Sequence, residues 1–92
     1  MLERTVEKYL VDQATAIGFE VRKVKWIGRN GAPDRVLRGF GQTIWVETKA
    51  PKKGPKPCQI REHKRMRDAG QTVRVAATFD QVDEVLRNAI SI

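Results

Sequence analysis

The chain has 92 residues, and its 18 lysines and arginines outnumber its 11 aspartates and glutamates, which gives a formal net charge of +7. This length fits a single small domain over residues 1–92, with a thin core that a partner or a second copy would extend. The positive charge favours an anionic partner, most commonly nucleic acid, although many small proteins are merely basic.

Cysteine content and hydropathy predict an intracellular protein. Cys58 is the single cysteine, so an intrachain disulfide is excluded, and no Cys/His cluster has the spacing of a zinc site. A reducing cytoplasm fits this composition, and the simplest role for Cys58 is packing. The sequence has no secretory h-region and no apolar run that could span a bilayer, so no membrane partner is expected.

Hydrophobic periodicity predicts seven elements in the order α-β-β-β-α-β-α, an α/β fold with a mixed sheet flanked by helices. Apolar residues on both faces of the hairpin strands indicate a sheet covered at least partly on both sides. The strand over 42–50, the helix over 58–69 and the strand over 72–77 form a βαβ unit, which predicts a parallel or nearly parallel pair with a right-handed crossover. The predicted elements are a helix over 2–17 that ends at Gly18, a strand over 19–27, hairpin strands over 34–39 and 42–50, a helix over 58–69, a strand over 72–77 and a last helix capped by Asp80.

The hairpin predicts a charged site at its open end. If the tight turn is centred on Phe40-Gly41, the two strands place Asp34 opposite Glu47 on one face, and Lys49 follows on the same face. Two facing carboxylates repel each other unless a cation or a proton lies between them. The inference depends on register, because a slip of one residue would move Glu47 to the other face.

Two acids beside a lysine suit metal-dependent cleavage of a phosphodiester. Mg²⁺ prefers oxygen ligands, which here would be Asp34, Glu47 and the backbone carbonyl of Thr48. The metal would polarise the phosphoryl group and lower the pKa of the attacking water. Lys49 would position that water or balance charge on a phosphorane-like transition state.

Basic residues border this site in sequence. The prolines and lysines of segment 51–57 predict a stiff cationic loop, and the basic residues of the first strand and of the second helix face outward. Each group is either a phosphate-binding surface or a solvated face. The candidate DNA-binding residues are Lys23, Lys25, Arg29, Lys52, Lys53, Lys56, Arg61 and Lys64.

Two further polar residues have open interpretations. Glu7 borders the buried stripe of the first helix, so it is either a functional carboxylate or a rim carboxylate paired with Lys8 or Arg4. His63 shares a helix face with Gln59 and would serve as an acid, a base or a ligand. A lone histidine at such a position is more often a polar surface residue, which is the favoured interpretation.

The motif Pro33-Asp34 followed by Glu47-Thr48-Lys49 matches the PD-(D/E)xK nuclease pattern. The chain resembles the VRR-NUC (virus-type replication-repair nuclease) branch, whose stand-alone members are small phage proteins. Segment 70–82 looks like the final strand and helix of that family. The Val-Arg-Arg motif that gives the branch its name reads Val73-Arg74-Val75 here, so its second arginine is absent.

The resemblance implies a restriction-endonuclease-like core and dependence on Mg²⁺ or Mn²⁺. By position, Asp34 and Glu47 resemble the family's metal ligands, Lys49 its catalytic lysine, Glu7 its first-helix glutamate and metal-site member, and Gln59 its supporting glutamine. The resemblance also implies a homodimer that acts on branched DNA, including four-way (Holliday) junctions. We therefore expect DNA as the substrate, a second copy as the partner and the cytoplasm of a phage host as the location.

The main alternative functions use the same fold. One is a nickase or end-processing nuclease with looser structural preference, and another is a non-catalytic DNA-binding protein. Facing carboxylates speak against a pure binder, because they repel phosphate unless a metal neutralises them. An RNA-binding role is disfavoured because the chain lacks the aromatic pattern of single-strand RNA readers.

Overall fold

The computed structural model describes residues 1–90, which form three helices and four strands in the predicted α/β order. The chain therefore has the α-β-β-β-α-β-α order that the periodicity predicts. The elements are α1 (Glu3–Ile17), β1 (Glu20–Lys23), β2 (Arg35–Gly39), β3 (Gln42–Thr48), α2 (Pro57–Asp68), β4 (Thr72–Ala76) and α3 (Phe79–Ile90).

The strands form a mixed sheet in the order β1-β2-β3-β4. β1–β2 and β2–β3 pair antiparallel, whereas β3 and β4 are parallel and are connected through α2. Gly39 pairs with Gln42, so the predicted hairpin register is confirmed. Phe40 and Gly41 both have positive φ (53° and 73°), as a two-residue hairpin turn of the primed type requires. The Phe40 ring packs edge-on against Phe19, with centroids 5.0 Å apart, which offsets the cost of a non-glycine residue in this conformation.

The main core lies between one face of the sheet and the helices α1 and α3. Both helices present an apolar stripe, and alternate residues of the strands meet it because successive side chains point to opposite faces. α2 covers part of the other face, where Gln59 and the buried Met66 lie on its inner side. The core cluster contains Val6, Leu10, Ala14, Phe19, Leu37, Ile44, Val46, Ala76, Val82, Val85, Leu86 and Ala89.

The first strand is shorter than predicted, since it ends at Lys23 and not at Ile27. Val24 still donates its N–H to the carbonyl of Asp34 (2.9 Å), but the chain then leaves the sheet. Trp26 turns toward α2, where its indole Nε1 donates to Glu62 Oε2 (2.8 Å). A contact between residues 36 positions apart thus overrides the local strand pattern.

The start of α3 also differs from the prediction, because Thr78 and not Asp80 caps the helix. The backbone N–H of Gln81 donates to Thr78 Oγ1 (3.1 Å), and the Gln81 side chain in turn accepts the N–H of Ala77 (2.7 Å). This reciprocal arrangement resembles a capping box and satisfies two backbone donors near the start of the helix. Within residues 1–90, no helix combines the length and apolar character needed to cross a membrane.

Candidate active site

The hairpin brings Asp34 to the end of β3. Arg35 pairs with Val46, and the same register carried back by one residue sets Asp34 opposite Glu47. The Oδ2 atom of Asp34 accepts two hydrogen bonds from Thr48, from its backbone N–H (2.9 Å) and from its Oγ1 hydroxyl (2.8 Å). Because both bonds use Oδ2, the carboxylate is fixed in place while Oδ1 remains available.

Glu47 is the most enclosed acid of the site, with a relative exposure of 1%. Its Oε2 atom accepts from Gln59 Nε2 (2.9 Å) and from Lys49 Nζ (3.0 Å). Its Oε1 atom is buried and has no hydrogen-bond partner within the described residues. Burial raises the pKa of Glu47, the bond from Lys49 opposes that shift, and the charge of Asp34 raises it further.

Gln59 joins the start of α2 to this carboxylate. Its Oε1 atom accepts the backbone N–H of Lys56 (2.8 Å), which satisfies a donor that the first turn of a helix would leave unpaired. Because the amide oxygen serves this cap, the amide nitrogen must face Glu47, a group that accepts hydrogen bonds. The helix start and the site are therefore held by the same side chain.

Lys49 has two acidic neighbours. Its side chain is largely buried, and its Nζ atom lies 3.0 Å from Glu47 Oε2 and 3.9 Å from Glu3 Oε1 in the first turn of α1. Sequence reasoning missed Glu3, because an acid in the first turn of a helix is usually explained by the helix dipole. Its position four residues before Glu7, on the same helix face, was the available signal.

Comparison with known proteins identifies the family. A protein of Acyrthosiphon pisum secondary endosymbiont phage 1, named "Putative nuclease p44", is 40% identical over 79 residues, which are 85% of each chain. A solved structure described as "VRR_NUC domain" superposes with a TM-score of 0.86 at 39% identity, over 92% of this chain and 94% of that one. The chain belongs to the VRR_NUC family.

A second solved structure, described as "VRR_NUC domain protein", shares the VRR_NUC fold at 18% identity. Its TM-score is 0.76, over 95% of this chain and 86% of that one. The scan against family models finds no match. Membership therefore rests on the phage relative and on the structural likeness at 39% identity.

Glu7, a predicted site residue, is paired with two cations in the VRR_NUC fold of this chain. Its Oε2 atom lies 2.5 Å from Lys23 Nζ and 2.8 Å from Arg35 Nε, so its partners are neither Lys8 nor Arg4. Burial alone would raise the pKa of Glu7, but the hydrogen bonds from these two cations hold it below its usual value. In the part of the chain that the structure describes, no three His, Cys, Asp or Glu side chains are grouped to hold a metal.

His63 lies inside the VRR_NUC domain, so its favoured interpretation as a surface residue is wrong. It is 1% exposed on the inner face of α2, one turn after Gln59, and among residues 1–90 nothing bonds its Nε2 atom. Burial lowers the pKa of His63, and the positive charges of Arg67 and Lys49 lower it further. Burial thus favours the uncharged form of the ring.

The candidate DNA-binding residues of this VRR_NUC chain divide into two groups. Lys23 is tied to Glu7, and Lys64 lies 2.7 Å from Asp68 one turn along α2. The others are exposed and form no ion pair within the described range: Lys25, Arg29, Lys52, Lys53, Lys56 and Arg61. Among the candidate residues, the unpaired positive charge thus lies in segment 24–34, in loop 49–56 and at the start of α2.

Proposed function

We propose that this VRR_NUC protein is a divalent-metal-dependent endodeoxyribonuclease that hydrolyses phosphodiester bonds in branched DNA. The observation that carries the proposal is the buried Oε1 atom of Glu47, which has no hydrogen-bond partner among the described residues. Burial raises the pKa of this carboxylate, and the charge of Asp34 also raises it. A buried carboxylate oxygen left unbonded is costly, so it favours a cation.

The donor set fits Mg²⁺ or Mn²⁺. Glu47 Oε1 and Asp34 Oδ1, together with the backbone carbonyl of Thr48, would supply hard oxygen ligands, and water and phosphate would complete the set. Bound there, the metal would polarise the phosphoryl group and make the attacking water more acidic. The proposal leaves Glu7 in its ion pairs with Lys23 and Arg35, where it supports the strand that begins beside Asp34.

The chain's own residues would then orient the reaction. Thr48 fixes Asp34, and Gln59 fixes Glu47, so neither carboxylate needs to reorganise when substrate arrives. Lys49 Nζ, held at Glu47, orients the attacking water or stabilises negative charge on the transferring phosphoryl group. The water oxygen bonds to phosphorus while the bond from phosphorus to the leaving oxygen breaks.

The substrate and assembly proposals rest on charge and family likeness. The exposed cations around α2 suit a DNA backbone, and the phage relative carries the word nuclease in its name. We infer a homodimer because a chain of 92 residues is too small to enclose a branched substrate alone. Two sites related by a two-fold axis would make paired cuts in a two-fold junction.

The test is cleavage of a labelled four-way junction beside a linear duplex of the same sequence, with Mg²⁺, Mn²⁺ or chelator. Wild type should make symmetric cuts in the junction only when metal is present. Asp34→Ala, Glu47→Gln and Lys49→Ala should each reduce cleavage by at least about 10²-fold while junction binding persists. Sedimentation of the wild type should give the mass of two chains.

Each other outcome selects an alternative. Equal cutting of both substrates would retain the nuclease and favour the nickase or end-processing role. Binding without cutting in any metal would favour the non-catalytic DNA-binding protein. Unchanged turnover in Lys49→Ala would contradict the role given to this lysine.

A further inference from the structure

Ile27 is the most exposed large apolar side chain of residues 1–90, with a relative exposure of 97%. It lies in segment 24–34, between β1 and β2, where the chain bends outward. Lys25 and Arg29, two residues to either side, are also exposed. An apolar tip bordered by two cations combines a hydrophobic contact with affinity for an anionic partner.

The segment around Ile27 is anchored at both ends to α2. On one side, Trp26 donates to Glu62 (2.8 Å) and packs against Trp45, with ring centroids 5.7 Å apart. On the other side, Gly31 approaches the backbone of Cys58 so closely that a Cβ atom would lie 2.5 Å from its carbonyl oxygen. A tip held in this way loses little conformational entropy on binding.

The same segment leads directly into the site. Pro33, which is buried, precedes Asp34, and the anchoring helix carries Gln59, which holds Glu47. The apolar tip and its cations therefore belong to the structural unit that positions the carboxylates.

We propose that Ile27 is a wedge that packs against the face of an unstacked DNA base, while Lys25 and Arg29 bind the phosphates on either side. This inference rests on the proposed function and deepens it, because it assigns the preference for branched DNA to a residue. Proteins that kink DNA insert apolar side chains of this kind between base steps.

Relative energies explain why such a wedge selects branches. The gain from burying one isoleucine does not exceed the cost of unstacking an intact base step. That cost is smallest where a base is already unpaired or unstacked, as at a branch or an end. Ile27 should therefore contribute to junction binding and contribute almost nothing to binding of a continuous duplex.

The experiment compares wild type, Ile27→Ala and Ile60→Ala without divalent metal. Ile60 is a matched control, since it is 55% exposed and lies on the side of α2 away from Cys58 and Glu62. Binding is measured to a junction that carries the fluorescent adenine analogue 2-aminopurine at the branch, and to the matching duplex. Thermal denaturation of each variant verifies that it is folded.

Ile27→Ala should weaken junction binding about tenfold, change duplex binding less than about twofold, and abolish the rise in 2-aminopurine emission that unstacking produces. Ile60→Ala should match wild type. Wild-type behaviour of Ile27→Ala, an equal loss for both DNAs, an equal effect of Ile60→Ala, or a change in sedimentation mass would each overturn the wedge. If wild type neither binds nor cuts any DNA, the proposed function fails as well.

Discussion

Glu3 and Glu7 lie one turn apart on α1 but meet different cations. Glu3 faces Lys49 at the site, whereas Glu7 is bound to Lys23 and Arg35. We predict that Glu3→Gln slows junction cleavage about three- to tenfold with little effect on stability, because its exposed carboxylate acts on Lys49 through partly screened charge.

Glu7→Gln should show the opposite behaviour. It should destabilise the fold by about 1.5–3 kcal/mol and leave the cleavage rate within about threefold of wild type, because it removes charge-assisted bonds outside the carboxylate pair. Cleavage rates and thermal denaturation of the Glu3→Gln and Glu7→Gln variants distinguish a role in cleavage from a role in stability. Loss of cleavage in Glu7→Gln with unchanged stability would mean that Glu7 leaves its ion pairs and joins the metal site.

Glu62 makes the stability of the fold depend on pH. Burial alone would raise the pKa of Glu62, but hydrogen bonds from Arg65 and Trp26 lower it below its ordinary value of 4.5. A carboxylate whose pKa is lower in the folded state stabilises the fold above the unfolded pKa. That contribution is lost as the pH falls through the folded pKa.

Glu62→Gln should therefore be less stable than wild type at pH 7, and the difference should shrink below about pH 4.5. Urea unfolding from pH 7 to pH 3 measures the free energy of unfolding of both proteins as a function of pH. Curves that stay parallel over the whole range would show that the ionised form of Glu62 contributes nothing.

At the scale of elements, the close approach of segment 24–34 to α2 depends on Gly31. Its φ is +96°, and an added Cβ atom would lie only 2.5 Å from the Cys58 carbonyl oxygen, so conformation and space both oppose any side chain. Gly31→Ala should cost more than about 2 kcal/mol. Gly28→Ala is the matched control, because its φ is +77° but no atom lies within 4 Å.

Chemical denaturation of the two glycine variants separates steric conflict from backbone strain. The control should lose about 1–2 kcal/mol through its φ alone. Gly31→Ala should also weaken the Trp26–Glu62 contact, which tryptophan fluorescence reports. Equal losses in the two variants would contradict the packing role of Gly31.

Loop 49–56 should bind phosphate through its lysines. Lys52, Lys53 and Lys56 are exposed and unpaired within the described residues, and Lys52 has a positive φ of 67°. Their joint replacement by alanine should reduce the slope of log affinity against log salt by up to about 2.7, because each phosphate contact contributes about 0.9.

Filter binding of duplex DNA from low to moderate salt measures that slope. Lys8→Ala is the control, since Lys8 lies on α1 and is already paired with Asp12. An unchanged slope in the triple variant would exclude the loop as a phosphate contact.

The hairpin shows what sequence alone predicts at this scale. The turn fixes the register, and the register brings Asp34 and Glu47 to one end of the hairpin, so both were accessible to local rules. The early end of β1 could not be predicted from local rules, because Trp26 leaves the sheet and donates a hydrogen bond to Glu62 on α2. Burial of His63 was equally inaccessible, since α2 alone has few large apolar residues to define its inner face.

For the molecule as a whole, ion pairing redistributes the charge. Acids at several positions are neutralised by nearby bases, as Glu7, Glu20 and Glu62 are. Six exposed bases without an ion pair in the described range lie in segment 24–34, in loop 49–56 and at the start of α2, and others lie on α1, β4 and α3. Composition predicts that the net charge is positive, but only the folded arrangement shows where on the surface the unpaired positive charges lie.

Both outer strands of the sheet carry charge. β1 has four residues, among them the exposed Arg22 and Lys23, and β4 carries the exposed Arg74 at its centre. Open strand edges invite further strands, and short length and charged side chains are the usual protection against uncontrolled aggregation. The charged side chains on both outer strands thus discourage the addition of a fifth strand to the sheet.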